Sequence, residues 1–261
     1  MSNSLLSTQA SELVLHTDNY TDFLYYQNDK TAPASLSAQS NKLTLDLLTV
    51  PIRYEYMPFK RTLKLMSSGA QVCSLDKLVT QERKKTFMFS LAMNLFLSRQ
   101  LYQQAEITDL NTNAVELVQL FERQQQFKLL LTSQINYGEA LEKQIAQIAK
   151  SQKIYRNSGE HAQGLVDMFI LKRADYALFY PQQVKELNVD LNARTYEIKG
   201  IPAYVTGHLM CPKGKLSALL IQEVNEQLKH LYQTGELLTV HLEHIDSQNK
   251  KRVTRYFQQL H

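Results

Sequence analysis

Between Phe127 and Tyr180, three short apolar runs alternate with two amphipathic ones. "FKLLLT" leads into "SQINYGEALEKQIAQIAKS", where Leu141, Ile145 and Ile148 share one helical face. "KIYRN" follows, and then "GEHAQGLVDMFILKR", with Leu165, Met168, Phe169 and Leu171 at helical spacing. "ADYALFY" completes the series and is closed by Pro181. Strands joined by helix-long crossovers run parallel, and the helices must cover the sheet they connect. This β-α-β-α-β order therefore commits the chain to an α/β fold with a mostly parallel sheet.

The flanking segments read less regularly. "ELVLHT" is strand-like and ends in the polar and aromatic set "DNYTDFLYY". "DKTAPASLSAQSN" reads as a polar, flexible loop. "LTVPIRYEYM" is extended. "PFKRTLKLMSSG" is a helix entered at Pro58 and stopped at Gly69, with Phe59, Leu63 and Met66 on one face. "AQVCSL" and "FMFSLAMNLFLSRQLY" are strand-like, and "YEIKGIPAYVTGHLM" is extended with Gly and Pro interruptions. In "KLSALLIQEVNEQLKHLYQTGEL" the spacing predicts a buried stripe of Leu216, Leu220, Val224, Leu228 and Leu231, stopped by Gly235.

At 261 residues the chain suits one large or two medium domains. Its net charge of +4 comes without a basic stripe interleaved with aromatics, which argues against nucleic acid; "KKRVTR" (250–255) reads as the solvated end of a terminal helix. No run approaches the roughly 18–20 apolar residues of a membrane span, so no membrane insertion is expected. "MSNSLLSTQA" lacks the basic and apolar regions of a signal peptide and is expected to be disordered over residues 1–10. The chain is thus expected to be cytosolic, or to have lost a signal peptide.

Signatures of catalysis are missing. The eight glycines form no phosphate loop, and neither a GxSxG elbow nor HExxH occurs. His241 and His244 in "HLEHI" sit three apart, but no further metal ligand accompanies them. Neither a metal nor a cofactor is expected, and the chain is not expected to be an enzyme. Cys73 and Cys211, outside any CxxC pair, are either two buried thiols or one long-range disulfide. Polar residues do gather where strands end. Asp18, Asn19 and Tyr20 follow "LVLHT"; Ser133, Asn136 and Tyr137 follow "FKLLLT"; Tyr180 ends "ADYALFY". In α/β sheets ligands bind at such carboxyl ends.

"PFKRTLKLMSSGAQVCSLDKLVTQERKKTFMFS" resembles the bacterial extracellular solute-binding proteins of family 3, which have the type II periplasmic-binding-protein fold. The resemblance lies in a helix ending in Gly, a strand, a Thr-x-x-Arg turn (Thr80 to Arg83) and a Phe-Ser. "SQINYGEALEKQI", "MFILKRADYALFYP" with Arg173 and Asp175, and "HLMCPKGKLSALLIQEVNEQLKHLYQTGEL" extend it from Leu13 to about Leu238. The resemblance implies two lobes, each a mixed, mostly parallel sheet flanked by helices, joined by two hinge strands. Lobe 1 would hold residues 11–100 and 203–261, and lobe 2 residues 101–202. It implies a periplasmic monomer that captures a small solute in an interlobe cleft for an ABC-transporter permease or a sensor. Arg83, supported by Thr80, would grip a carboxylate. Asp18 and Tyr20 would line one wall, with Asn136, Tyr137 and Tyr180 opposite. Cys73 and Cys211 would share lobe 1 and be bridged.

Two departures bear on the ligand. Tyr180 stands where amino-acid binders of the family commonly place an Asp for the ammonium group, and Asp76 and Leu78 replace small hydroxyl residues before the turn. An anionic, aromatic or peptide-like solute fits Tyr20, Tyr137 and Tyr180 at least as well as an ordinary amino acid. Two alternatives stand beside this reading. One is a ligand-free interaction or sensor module. The other is a dehydratase-like enzyme using Asp18, Asp76 or Asp175.

Overall fold

The computed structural model describes residues 13–28, 31–32, 34–133, 135–156, 162–247 and 249–260. The disorder expected for residues 1–10 lies outside them. In chain order the elements are β1 (Leu13–Thr17), α1 (Tyr20–Tyr26), α2 (Leu36–Leu45), β2 (Ile52–Tyr56), α3 (Phe59–Ser67), β3 (Val72–Lys77), α4 (Gln81–Thr86) and β4 (Phe87–Leu97). Then come β5 (Gln100–Gln104), β6 (Ala114–Val115), α5 (Leu117–Arg123), β7 (Leu129–Thr132), α6 (Glu139–Gln147), β8 (Lys153–Arg156), α7 (Ala162–Ile170), β9 (Tyr176–Phe179) and α8 (Pro181–Leu187). The chain closes with β10 (Ala193–Ile198), β11 (Tyr204–Pro212), α9 (Lys215–Thr234), α10 (Glu236–Glu243) and α11 (Lys250–Phe257). Among the described residues no helix is long and apolar enough to cross a membrane.

These elements form two units. Unit 1 runs to Leu95, resumes over Thr206–Glu243 and takes in the chain from Thr254; unit 2 holds Phe96–Val205 and His244–Val253.

Unit 1 is built on a five-stranded sheet of order β2-β1-β3-β11-β4. β1 lies parallel to β2 and β3, and β11 is antiparallel to β3. As the spacing of "PFKRTLKLMSSG" predicts, α3 packs Met66 with Phe59 and Leu63 against Phe87 and Met210. Gly69 ends that helix at φ +93, a left-handed conformation that glycine adopts without steric cost. Cys73 on β3 and Cys211 on the neighbouring β11 form a disulfide, with Cα atoms 4.4 Å apart.

Two expectations for unit 1 are corrected. Much of the stretch read as a flexible loop is helix α2, capped by the Ser35 hydroxyl accepting from the Ala38 N–H. Its inward face carries Ser40, Asn41 and Thr44 as well as Leu36, Ala38 and Leu45, so apolar periodicity could not reveal it. On α9 the buried stripe is Ser217, Ile221, Val224, Leu228 and Leu231, whereas Leu216 is 63% exposed. Steps of four residues overshoot a 3.6-residue turn, so counting back from Val224 through Leu220 to Leu216 rotates off the buried face.

Unit 2 contains the predicted β7-α6-β8-α7-β9 series. β7 pairs parallel with β8 and β9 in a six-stranded sheet of order β6-β10-β5-β9-β7-β8. β5 is antiparallel to both β9 and β10. Helices cover both faces of this sheet, which is why "LLL" is continuously apolar. Leu129 and Leu131 pack with Phe121, Leu141, Ile145 and Ile148, while Leu130 joins Leu165, Val166 and Phe169. Each such fully buried side chain contributes about 1.5–3 kcal/mol. Leu171, assigned to the inward face by spacing, is 63% exposed, because α7 ends at Ile170 and Lys172 turns left-handed.

Candidate functional site

The candidate residues of unit 1 sit at the carboxyl ends of its parallel strands. Strand β3 does not end as a regular strand. Asp76 has φ +57, and β3 takes three steps from Ser74 to Lys77 where β11 takes two from Met210 to His208. Such a bulge re-aims the side chains that follow it. Lys77, 6% exposed, places its ammonium 2.7 Å from Asp18 Oδ1 and 4.5 Å from the centre of the Phe59 ring. The Arg83 guanidinium lies 4.9 Å from the same ring. Its Nη1 donates to the Leu78 carbonyl (2.9 Å), and the Thr80 hydroxyl accepts from the Arg83 N–H (3.2 Å) to cap α4. Burial lowers the pKa of Arg83, with Asp18 and Glu82 opposing. Arg83, Thr80 and Asp18 thus come together, with Lys77 and Phe59 as members the sequence reading missed. Tyr20 is 42% exposed and packs edge-on to Tyr56 at 5.4 Å, at the end of the adjacent strand.

Below this face lies a polar network. Asn41 Nδ2 donates to Asp76 Oδ2 (2.8 Å) and to the Tyr26 hydroxyl (3.0 Å). Asn94 Nδ2 donates to Asp76 Oδ1 and to Asn41 Oδ1. Burial raises the Asp76 carboxyl to about 6 from 3.8, and the two amides and Lys77 only partly oppose this. The folded state therefore holds a proton between about pH 4 and 6 that the unfolded chain has released. Because stability changes with pH as the unfolded minus the folded proton count, this carboxyl's contribution improves as pH falls from 7 to 4. Buried His16 and half-buried His208, both with pKa lowered by desolvation, act in the opposite sense below pH 6.5. The expected result is that wild type gains stability relative to Asp76→Asn as pH falls through this window. Urea titrations of both proteins at pH 7 and pH 5 check it, and a pH-independent difference contradicts it.

In unit 2, Tyr137 and Tyr180 come together around a residue the sequence reading passed over. Arg99, between β4 and β5, lies 4.6 Å from the Tyr137 ring centre and 4.0 Å from that of Tyr180. Its Nη1 donates to the Tyr180 hydroxyl at 3.0 Å. The Tyr137 hydroxyl accepts from the Thr132 N–H at 2.7 Å, which fixes that ring at the end of β7. These side chains line a cavity of about 560 Å³ together with Ser98, Lys143 and Ile201. Asn136 is exposed, and its carbonyl oxygen accepts from the Gly138 N–H (2.6 Å) to shape the turn into α6. The only sequence signal for Arg99 was "SR", the polar break in "FMFSLAMNLFLSRQLY".

Other candidates fall elsewhere. Asp175 accepts from the Lys128 N–H at 2.7 Å and organises the start of β7. His241 is buried in unit 1, donating from Nδ1 to the Leu237 carbonyl and accepting from the Leu95 N–H. His244 belongs to unit 2, 3.3 Å from Glu186.

No family model matches the sequence, and no curated protein does either. Solved structures match along nearly its whole length. The probable amino-acid ABC transporter extracellular-binding protein ytmK from Bacillus subtilis has a TM-score of 0.66 at 14% identity, covering 92% of this chain and 100% of its own. A putative L-cystine ABC transporter protein from Listeria monocytogenes gives 0.65 at 15% identity, covering 91% and 97%. A histidine kinase sensor domain with similarity to periplasmic binding proteins gives 0.62 at 14%, covering 89% and 96%. The chain has the type II periplasmic-binding-protein fold. The expected fold is thereby met, including a mixed sheet in each unit. At such identities the type II fold is shared without any statement about the ligand.

Proposed function

We propose that the protein is a periplasmic solute-binding protein that captures a small polar or anionic solute for an ABC transporter or a sensor. The observation that carries this reading is the cluster of Arg83, Lys77, Asp18 and Phe59 at the strand ends of unit 1. A planar guanidinium held by one carbonyl and one ring keeps donors in a fork that suits a carboxylate. Asp18, Thr80 and Tyr20 complete this face. Tyr137 and Tyr180, with Asn136 shaping the turn, are the candidate contacts within unit 2. A buried disulfide supports an oxidising compartment.

Thermal-shift screening of small metabolites tests the proposal, because a ligand stabilises the folded state as its free concentration passes Kd. A carboxylate ligand is expected to lose about ten- to a hundredfold in affinity on Arg83→Ala, the worth of charge-assisted hydrogen bonds. An unchanged affinity removes Arg83 from the site. A second reading, a ligand-free sensor or interaction module, is favoured by one observation: Arg99 already lies against both tyrosines of unit 2. Failure of every metabolite to shift the melting temperature supports that reading over the first.

A further inference from the structure

At the end of β1, unit 1 presents a carboxylate that already holds an ammonium. Lys77 Nζ lies 2.7 Å from Asp18 Oδ1 and 4.5 Å from the centre of the Phe59 ring. A carboxylate beside the face of an aromatic ring suits a primary ammonium, the first by charge and hydrogen bond, the second by its quadrupole. Here the ammonium is the protein's own. Lys77 is 6% exposed, whereas the Asp18 side chain keeps 39% of its surface open to solvent. The carboxylate is therefore reachable from outside, but its charge is already matched from inside. Arg83 stands against the same ring, its guanidinium 4.9 Å from the ring centre. Asp76 spends its two carboxyl oxygens on Asn41 and Asn94 below this face, and Glu82 is exposed on the first turn of α4. An α-amino acid with its carboxylate on Arg83 carries its ammonium two bonds from the carboxyl carbon. That ammonium would arrive beside two cations with Asp18 already engaged, and like charges so placed repel. An acid with a hydroxyl or a hydrogen in that position meets no such repulsion.

We propose that Lys77 is a specificity-determining residue: its ammonium occupies the place on Asp18 that a ligand's ammonium would take, so that the solute held at Arg83 is a carboxylic acid without an α-ammonium group. The inference rests on the solute-binding reading above and names its substrate class, simple and hydroxy carboxylic acids. Asp18 then serves recognition by holding Lys77, not by meeting a cation of the ligand. Because Lys77, Asp18, Phe59 and Arg83 all belong to unit 1, the discrimination is built into that unit alone.

The test is isothermal titration and thermal shift of wild type, Lys77→Ala, Lys77→Met and Lys77→Ala combined with Asp18→Asn. The probes are propionate, lactate, alanine and n-propylammonium, the last carrying the same three carbons and nitrogen that Lys77→Ala removes. Wild type is expected to bind propionate or lactate at least about tenfold more tightly than alanine and to be unmoved by n-propylammonium. In Lys77→Ala that preference should shrink by about tenfold or more, because Asp18 is released to meet the ammonium of alanine. n-Propylammonium should raise the melting temperature of Lys77→Ala saturably, and the effect should vanish when Asp18→Asn is added. Lys77→Met keeps the apolar stem without the charge, and it carries the preference test if the alanine variant does not fold. Tighter binding of alanine than of either acid by wild type, or a preference unchanged in the Lys77 variants, overturns the inference. If the probe that binds still depends on Arg83, the solute-binding reading survives. Absence of binding by both acids and alanine, together with a blank metabolite screen, overturns both.

Discussion

Replacing Cys73 and Cys211 together by alanine is expected to destabilise unit 1 by about 3–5 kcal/mol. The bridge spans 138 residues, and the chain-entropy relation for a loop of that length gives about 5 kcal/mol. The value shrinks if unit 2 stays folded while unit 1 unfolds, because all of Phe96–Val205 lies inside the loop and would then shorten its effective length. Both sulfurs belong to buried residues, 3% and 0% exposed, so reductant reaches them only when the unit opens. Calorimetry of the double variant checks this. The transition assigned to unit 1 should fall by about 5–20 °C, taking roughly 2–4 °C per kcal/mol for a protein of this size. The transition of unit 2 should be nearly unmoved. An unchanged profile would mean that the bridge restrains nothing that the sheet pairing of β3 with β11 does not already restrain.

The second large effect is expected at Asp76. Asp76→Ala removes the acceptor for one N–H of Asn41 and one of Asn94, residues that are 0% and 1% exposed. Each orphaned buried donor costs about 1–3 kcal/mol. Alanine at φ +57 adds strain that aspartate and asparagine tolerate better. Relief of a poorly solvated carboxylate works the other way, so the expected net loss at pH 7 is about 3 kcal/mol. Asp76→Asn keeps one acceptor and the left-handed conformation and removes the charge. It should cost less than the alanine variant, about 1 kcal/mol. Because the bulge at Asp76 re-aims Lys77 toward Asp18, the alanine variant should also weaken any ligand held at Arg83. Equal stability of the two variants in urea titrations would show that the amides find other partners.

The legible parts of this protein were those governed by local periodicity. The β-α-β-α-β series, the covering helices of unit 2, and the helix stops at Gly69 and Gly235 all follow from side-chain spacing or from residues that accept positive φ. Helix α2 escaped because its inward face is partly polar and is satisfied by partners far along the chain, such as the Met93 carbonyl for Ser40. The candidate site was half legible. Arg83 and Thr80 are local neighbours in one capped turn, and Tyr137 and Tyr180 stand at strand ends. Lys77, Phe59 and Arg99 carry no signature, because their roles come from residues 18 to 81 positions away.

The sequence by itself determined the order of strands and helices in the central β-α-β-α-β series, the parallel sense of that series and the positions of its strand-end polar residues. All three depend on interactions within a few residues or on the steric rules of chain connection. Only the tertiary structure decided that the segment His244–Val253 joins unit 2, with Arg252 bonded to Glu197. It alone decided that β3 bulges at Asp76, and that Arg99 lies against two tyrosines from different strand ends. These features are set by hydrogen bonds, charges and ring contacts between distant segments, whose energies act only once the folded backbone has brought the partners within reach.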